Sequence, residues 1–197
     1  SLHDALPICS LSQLLISASA RGYPMVVMQL LEMGADIWQL LEELPPMGGR
    51  SDLEELMPPT IAAVLLPQLV EQYAAGSLNV RNSKQLAVLL RCLSLSDQEG
   101  ACILTLGLAA ERQLVLEAGE AATVLEAAAE QGQPALVMQL AGQFGIETLW
   151  QVLQPAWDPH KNVVYVVLSQ LAGQLVAGAL QLDSTRLGYL LRTLATF

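Results

Sequence analysis

The stretch Pro134-Ala-Leu-Val-Met-Gln-Leu140 decides the architecture, because a nearly identical stretch, Pro24-Met-Val-Val-Met-Gln-Leu30, stands near the start of the chain. Proline, valine, methionine, glutamine and leucine recur in the same order and at the same spacing. A small-residue segment ending in glycine precedes each proline, with the glycines at Gly22 and Gly132. Similar segments separated by a long fixed distance indicate a repeat architecture.

The similarity extends well beyond this stretch. Both copies end in Leu-Leu-Arg-x-Leu, at residues 89–93 and 190–194. We therefore predict an internal duplication over about 12–93 and 122–194, joined by bridging helices at 96–119. The loop within the first copy is longer and more acidic than its counterpart, and insertions of this kind map to loops on one face of a repeat protein.

Apolar residues recur at helical spacing between isolated glycines and prolines, which is the pattern of short helices joined by tight turns. Alternating strand patterns and Asn-Gly or Asp-Gly hairpin turns are nearly absent. The sequence predicts an all-α fold, a right-handed α-solenoid of stacked helical hairpins. The predicted helices cover residues 11–21, 25–33, 37–44, a short turn at 51–54, 60–75, 83–93, 97–107, 109–118, 121–131, 134–143, 146–154, 162–177 and 184 onward.

One helix pair resembles a known repeat family. Ala18-Ser-Ala-Arg-Gly22, followed by the segment 26–36, resembles the helix pair of an ankyrin repeat, and the resemblance covers residues 14–36. The ankyrin Thr-Pro-Leu-His turn is missing before the first helix, and no next unit follows at ankyrin spacing. The resemblance therefore implies the general solenoid class of stacked helix pairs.

Composition and charge restrict the classes of partner. Of the 197 residues, 53% are hydrophobic and only 14% charged, and the net charge is −10. The nine basic residues are scattered, whereas nucleic acid and anionic membranes are bound through clustered Lys and Arg. We expect no nucleic-acid partner. The three cysteines, Cys9, Cys92 and Cys102, form no disulfide framework, which favours a reducing, cytoplasmic location.

A membrane span is an alternative for one segment. Residues 163–182 carry no charge and are about long enough to cross a bilayer. The segment nevertheless contains Gln170 and Gln174, and its counterpart in the first copy contains Pro67 and Glu71. Polar and charged groups inside a span are costly, so we expect a helix of a water-soluble protein.

The two ends of the chain suggest a fragment. Residues 1–10 lie outside the repeated pattern, and the opening Ser-Leu-His-Asp-Ala-Leu-Pro-Ile resembles translated adapter sequence. We interpret 1–10 as a non-native or disordered leader and 11–197 as a single helical repeat domain. The last segment, Tyr189–Phe197, is still apolar and has no glycine, proline or cap to end it.

The residues that could carry chemistry are few. Cys92, Cys102 and His160 could in principle supply a nucleophile with its base, or metal ligands, but the short ligand spacings of metal sites are missing. Both cysteines stand in apolar runs and are expected to be small core residues. His160 is expected to be exposed in a polar loop. We predict no catalytic, cofactor-binding or metal site, and hence no enzyme.

Acidic residues flank the first long loop, where they could bind a cation or a basic partner. The alternating oxygen ligands of a calcium loop are missing, so a solvated acidic loop is the preferred interpretation. These residues are Glu42, Glu43, Asp52, Glu54 and Glu55.

Tryptophan and glutamine recur at equivalent positions. Trp38 and Trp150 are predicted to be packing anchors of the two copies. Glutamines stand inside otherwise apolar helices, and we expect them to bond between neighbouring helices, with binding of an extended peptide as the alternative. They are Gln29, Gln68 and Gln72, repeated as Gln139, Gln170 and Gln174.

These patterns favour a non-catalytic scaffold that mediates protein–protein interaction, because stacked helices expose long binding surfaces. A helical accessory or regulatory domain of a larger enzyme is the alternative, and a membrane-inserting helical protein is a remote third. The expected partner is a protein or peptide, and the sequence assigns no residues to its binding.

Overall fold

The computed structural model describes residues 8–45, 48–144, 171–173, 175–176, 183–185, 187–188 and 191, with side chains from residue 11 onward. Every secondary-structure element among these residues is a helix, which confirms the predicted all-helical class. The continuous helices are α1 (Ile8–Ala20), α2 (Pro24–Glu32), α3 (Ile37–Leu41), α4 (Arg50–Leu56), α5 (Pro59–Ala74), α6 (Ser83–Leu95), α7 (Glu99–Glu111), α8 (Ala118–Glu130) and α9 (Pro134–Phe144).

The helix ends explain why glycine and proline punctuate the sequence. After α1, Gly22 has a φ of +71°, and the Tyr23 amide donates to the Ala18 carbonyl at 3.0 Å. After α8, Gly132 has the same φ of +71° and is followed by the same kind of bond. This left-handed turn is the usual glycine-based helix ending. A proline then opens the next helix at a position where its missing amide hydrogen is not needed.

One predicted boundary is wrong. The expected helices 97–107 and 109–118 are not a pair, since α7 runs without interruption through Gly107 to Glu111 and residues 114–117 are not helical. A glycine inside a helix costs only about 1 kcal/mol, so it need not end one. The helix ends instead at Glu111, and two residues later Gln113 takes the left-handed conformation with a φ of +58°.

Smaller differences concern other boundaries. Helix α1 begins at Ile8, so residues 8–10, which we assigned to the leader, are helical. Helix α3 ends at Leu41 instead of residue 44, and α4 is a full helix over Arg50–Leu56 where only a turn was expected. Residues 1–7 and the predicted helix at 146–154 lie outside the described residues, as does most of 162–177.

The helices contact one another in two successions. In the first, α1 packs against α3 and α4, both of these pack against α6, and α6 packs against α8. In the second, α2 packs against α5, α5 against α7, and α7 against α9. Three consecutive pairs, α1–α2, α6–α7 and α8–α9, also pack within themselves. Each helix therefore shares its apolar surface with two or more neighbours.

One hydrophobic core follows from this packing. It runs from Leu15 in α1 through Leu66 in α5 and Leu89 in α6 to Leu140 in α9, and all four side chains are fully buried. Burying one such side chain contributes about 1.5–3 kcal/mol. Within the described part of the chain, no helix is both long enough and apolar enough to cross a bilayer. Most of the 163–182 segment falls outside that part.

Candidate functional site: a groove between α3, α6 and α8

The two described cysteines lie in the core, as expected. Cys92 and Cys102 are free thiols with no exposed surface. Burial raises the pKa of Cys92 to about 12 and that of Cys102 to about 12. A thiol with so high a pKa is almost entirely protonated at neutral pH and is a poor nucleophile. His160, considered as its base, lies outside the described residues.

The acidic residues around the first loop are all exposed, in agreement with the solvated interpretation. Three of them make local contacts: Asp52 accepts from the Gly49 amide at 2.8 Å, Glu54 pairs with Arg50 at 2.8 Å, and Glu42 pairs with Lys84 at 3.4 Å. Glu43 and Glu55 complete the exposed set. No group of three or more potential metal ligands occurs among the residues that the structure describes.

The repeated tryptophan and glutamine side chains differ in how far they are buried. Trp38 is partly buried and packs against the core, which confirms its expected role as an anchor, whereas Trp150 lies outside the described residues. The inter-helix role expected of the repeated glutamines is wrong for Gln29 and Gln72, since both are exposed. Their apolar neighbours set the buried face of each helix, and these two positions fall on the opposite side.

For the remaining repeated glutamines the inter-helix role stays a prediction. Gln68 and Gln139 are partly buried. Gln170 lies outside the described residues, and nothing is described of the Gln174 side chain.

The glutamine that joins helices is Gln133, in the turn between α8 and α9. Its side chain is 2% exposed, accepts from the Ser94 hydroxyl at 2.7 Å and donates to the Ser94 carbonyl at 2.8 Å. The sequence comparison missed it because the corresponding position near the start of the chain is Tyr23. This pair fixes the α8–α9 turn against the last turn of α6.

Arg91 is the second functional residue that sequence reasoning missed. Arg91 is 3% exposed, and its guanidinium donates to the carbonyl oxygens of Pro45 and Gly48, both at 2.8 Å. Burial lowers the pKa of Arg91 from its ordinary value, while the nearby Glu126 and Asp52 carboxylates oppose this shift. The signal was present, because Arg91 is the only charged residue in the apolar run 86–95.

Arg91 also lies at the edge of a groove of about 470 Å³. Ala87 and Val88 of α6 form its apolar floor. The rim carries acidic side chains from two sides, Glu42 after α3 and Glu120 in α8. The Arg91 bonds to the first loop hold the α3 side of this groove in place. Its remaining lining residues are Leu44, Lys84, Glu117, Gly119 and Thr123.

Acidic groups outnumber the free basic groups on this rim. Of the two cations, Arg91 is occupied by the loop carbonyls and Lys84 is paired with Glu42. Glu117 and Glu120 stand on the opposite rim, where the first residues of α8 meet the groove. The groove therefore combines an apolar floor with a net acidic rim.

A second and larger concavity, of about 750 Å³, lies beside the turn between α5 and α6. Its lining includes Arg112, whose guanidinium lies 4.3 Å from the centroid of the Tyr73 ring and donates to the Ala74 carbonyl at 3.2 Å. Arg112 thus connects α7 to the end of α5. A cation already engaged by an aromatic ring and a carbonyl is explained by packing.

The fold and the groove define an all-helical protein with a concave, acidic surface on one of its two successions of helices. Comparisons with protein-family models, with curated proteins and with solved structures gave no match.

Proposed function

We propose that this protein is a non-catalytic helical-repeat scaffold that binds a basic segment of a partner protein in the groove between α3, α6 and α8. The observation that carries the proposal is the groove itself, with its floor at Ala87 and Val88 and its acidic rim. Recognition of an amphipathic or extended peptide by such a groove needs an apolar floor for anchoring and rim charges for orientation.

The proposed architecture is a right-handed solenoid that contains an internal duplication. Its support is the order of the contacts, in which α6 packs on α8 while α7 packs on α9, so that one helix pair covers the next. The turns at Gly22 and Gly132 also have the same φ of +71°. Two turns of one geometry at matching sequence positions are what a duplicated helix pair requires.

The charge on the rim selects the chemistry of the partner. Glu117 and Glu120 face a rim where Glu42 pairs with Lys84, the exposed cation among the residues that line this groove. The whole chain carries a net charge of −10, which attracts basic segments at long range. A segment that alternates Lys or Arg with apolar residues matches both the rim and the floor.

The proposed compartment is the cytoplasm. Cys92 and Cys102 are both free thiols held in the core. Free thiols are the usual state of cysteine in a reducing compartment.

The test is binding of a fluorescein-labelled ten-residue peptide of alternating lysine and leucine, followed by fluorescence anisotropy. In the variant Glu117→Gln/Glu120→Gln we expect the dissociation constant to rise about tenfold at low salt, since two exposed charge pairs of about 0.7 kcal/mol each contribute about 1.4 kcal/mol together. The matched control is Glu71→Gln/Glu111→Gln, which removes the same charge from exposed positions on α5 and α7.

We expect the control variant to bind within twofold of the unchanged chain. If both double variants weaken binding equally, the peptide is held by net charge alone and the groove is not its site. If neither variant changes binding, the rim charges take no part in it. Repeating the titration at about 0.15 M ionic strength separates the contacts in the groove from long-range attraction.

A further inference from the structure

The α1–α2 pair and the α8–α9 pair correspond position by position, because Pro24 aligns with Pro134 and Gly22 with Gly132. Their surroundings differ. Helices α8 and α9 are covered on one side by α6 and α7. Helices α1 and α2 pack against α3, α4 and α5 on their other side, and no described helix takes the position that α6 and α7 would occupy.

Because of this difference, side chains at matching positions are exposed in the α1–α2 pair and buried in the α8–α9 pair. Leu14 is 48% exposed, whereas its counterpart Val124 has no exposed surface. Val26 is 43% exposed, whereas its counterpart Leu136 is fully buried.

The turn between the helices shows the same contrast. Tyr23 is 54% exposed, whereas its counterpart Gln133 is 2% exposed and bonded to Ser94 of α6. The side of α1–α2 that matches the covered side of α8–α9 is therefore apolar and open. We call this surface, formed by Leu14, Tyr23 and Val26, the α1–α2 face.

A polar contact is also missing from this face. In α9 the first amides, those of Ala135 and Leu136, both donate to Glu99 Oε1, at 2.8 and 3.1 Å. Glu99 belongs to the first turn of α7, so one helix of the covering pair caps the helix beneath it. Helix α2 also begins with proline, yet no described side chain caps it. The amides at Met25 and Val26 are the positions that Glu99 serves in α9.

From these observations we propose that the α1–α2 face binds a further helix pair of the α6–α7 kind, joined ahead of α1 as α7 is joined to α8. The second helix of that pair would begin with an acidic residue that caps α2. Its first helix would present an apolar surface at the position of Ser94, because Tyr23 stands where Gln133 offers an amide. The inference rests on the stacked arrangement proposed above.

The test appends residues 82–117 directly to Ile8, in place of residues 1–7, so that the α7–α8 connection is reproduced ahead of α1. Hydrogen exchange should show slow-exchanging amides in the appended helices and slower exchange at the start of α2. Val26→Asp should lower the Tm of this fusion by about 4 °C or more, because it places a charge in a covered apolar contact. In the unfused chain, where Val26 is exposed, the same substitution should leave the Tm nearly unchanged.

Two further variants make the result specific. Val64→Asp, at a position 40% exposed on α5, should have little effect in either chain. Tyr23→Gln should raise the Tm of the fusion alone, because it restores the amide that pairs with Ser94. An appended segment that exchanges as fast as an unfolded peptide, with Val26→Asp silent in both chains, would overturn the proposal.

A second copy of the chain is the competing occupant. If the unfused chain dimerises and Val26→Asp abolishes the dimer, a second copy occupies the face and the proposal is wrong. Peptide binding at the groove is measured on the unfused chain, so a failure of that function and a failure of this inference are separate results.

Discussion

The bond pair between Gln133 and Ser94 gives the sharpest prediction about stability. Gln133→Ala removes two buried hydrogen bonds, each of which contributes about 1 kcal/mol net. The Ser94 carbonyl keeps the Asp97 amide as a donor at 2.8 Å, so only the Ser94 hydroxyl loses its partner. We therefore expect the free energy of unfolding to fall by about 2–3 kcal/mol, a little more than the two bonds contribute, because the buried Ser94 hydroxyl is left without a partner.

The assay is equilibrium unfolding in urea. With a denaturant dependence of about 2 kcal/mol per molar, this loss shifts the midpoint by about 1 M. The control is Gln131→Ala, two residues earlier in the same turn, where the side chain is only partly buried. The Gln131→Ala substitution should change the free energy of unfolding by no more than about 0.5 kcal/mol, as surface substitutions usually do.

A double-mutant cycle isolates the pair. Ser94→Ala deletes the hydroxyl but leaves the carbonyl, so Ser94→Ala with Gln133→Ala should cost about 1 kcal/mol less than the two single changes together. Equal midpoints for Gln133→Ala and Gln131→Ala, or strictly additive effects of the two changes, would refute the role of this pair in holding α6 to the α8–α9 turn.

Two further predictions concern glycines and thiols. Gly132→Ala should lower the free energy of unfolding by about 1–2 kcal/mol, because a residue with a side chain disfavours the φ of +71° found at this position. Steric contact is not the cause, since no atom lies within 4 Å of the added carbon. Gly107→Ala, equally free of contacts but inside α7, should stabilise by about 1 kcal/mol in the same urea assay. Burial raises the pKa of Cys92 and of Cys102 to about 12, so the unfolded chain releases these protons first, and the free energy of unfolding should fall above about pH 9. The fall approaches about 1.4 kcal/mol per pH unit for each thiol. Urea unfolding between pH 9 and 11 should therefore show a shallower decline of the free energy of unfolding with pH in Cys92→Ala/Cys102→Ala than in the unchanged chain. Equal slopes for the two proteins would contradict this prediction.

Much of the fold was predictable because glycine and proline act locally. Gly22 and Gly132 end their helices through a backbone conformation that few other residues adopt, and a proline opens the next helix. The end of α7, just before Gln113, was not predictable in the same way. A glutamine in the left-handed conformation carries no sequence signal, and the neighbouring Gly107 carried a misleading one.

The candidate site was less predictable because it depends on contacts between distant segments. Arg91 bonds to carbonyl oxygens more than forty residues earlier in the chain, and backbone acceptors leave no mark in a sequence. The glutamine comparison failed for a related reason. It selected the positions that recur, Gln29 with Gln139, whereas the bonded glutamine, Gln133, stands where the two copies differ.

Several polar contacts between helices reach backbone groups at helix ends. The Ser19 hydroxyl donates to the Leu56 carbonyl at the end of α4, and Glu99 accepts from the first amides of α9. The last carbonyls and first amides of a helix have no partner within it, so each is available to a neighbouring helix.

Apolar contact by itself is not directional, and leucine-rich helices could slide along one another with little loss of buried area. Bonds to helix ends remove this freedom, because an end exists at only one position along the helix. The polar residues at the turns therefore specify the register of the packed helices, while the apolar residues supply most of their stability. The open α1–α2 face has the apolar surface but lacks the capping carboxylate, so a covering pair that supplies one should be bound in a single register.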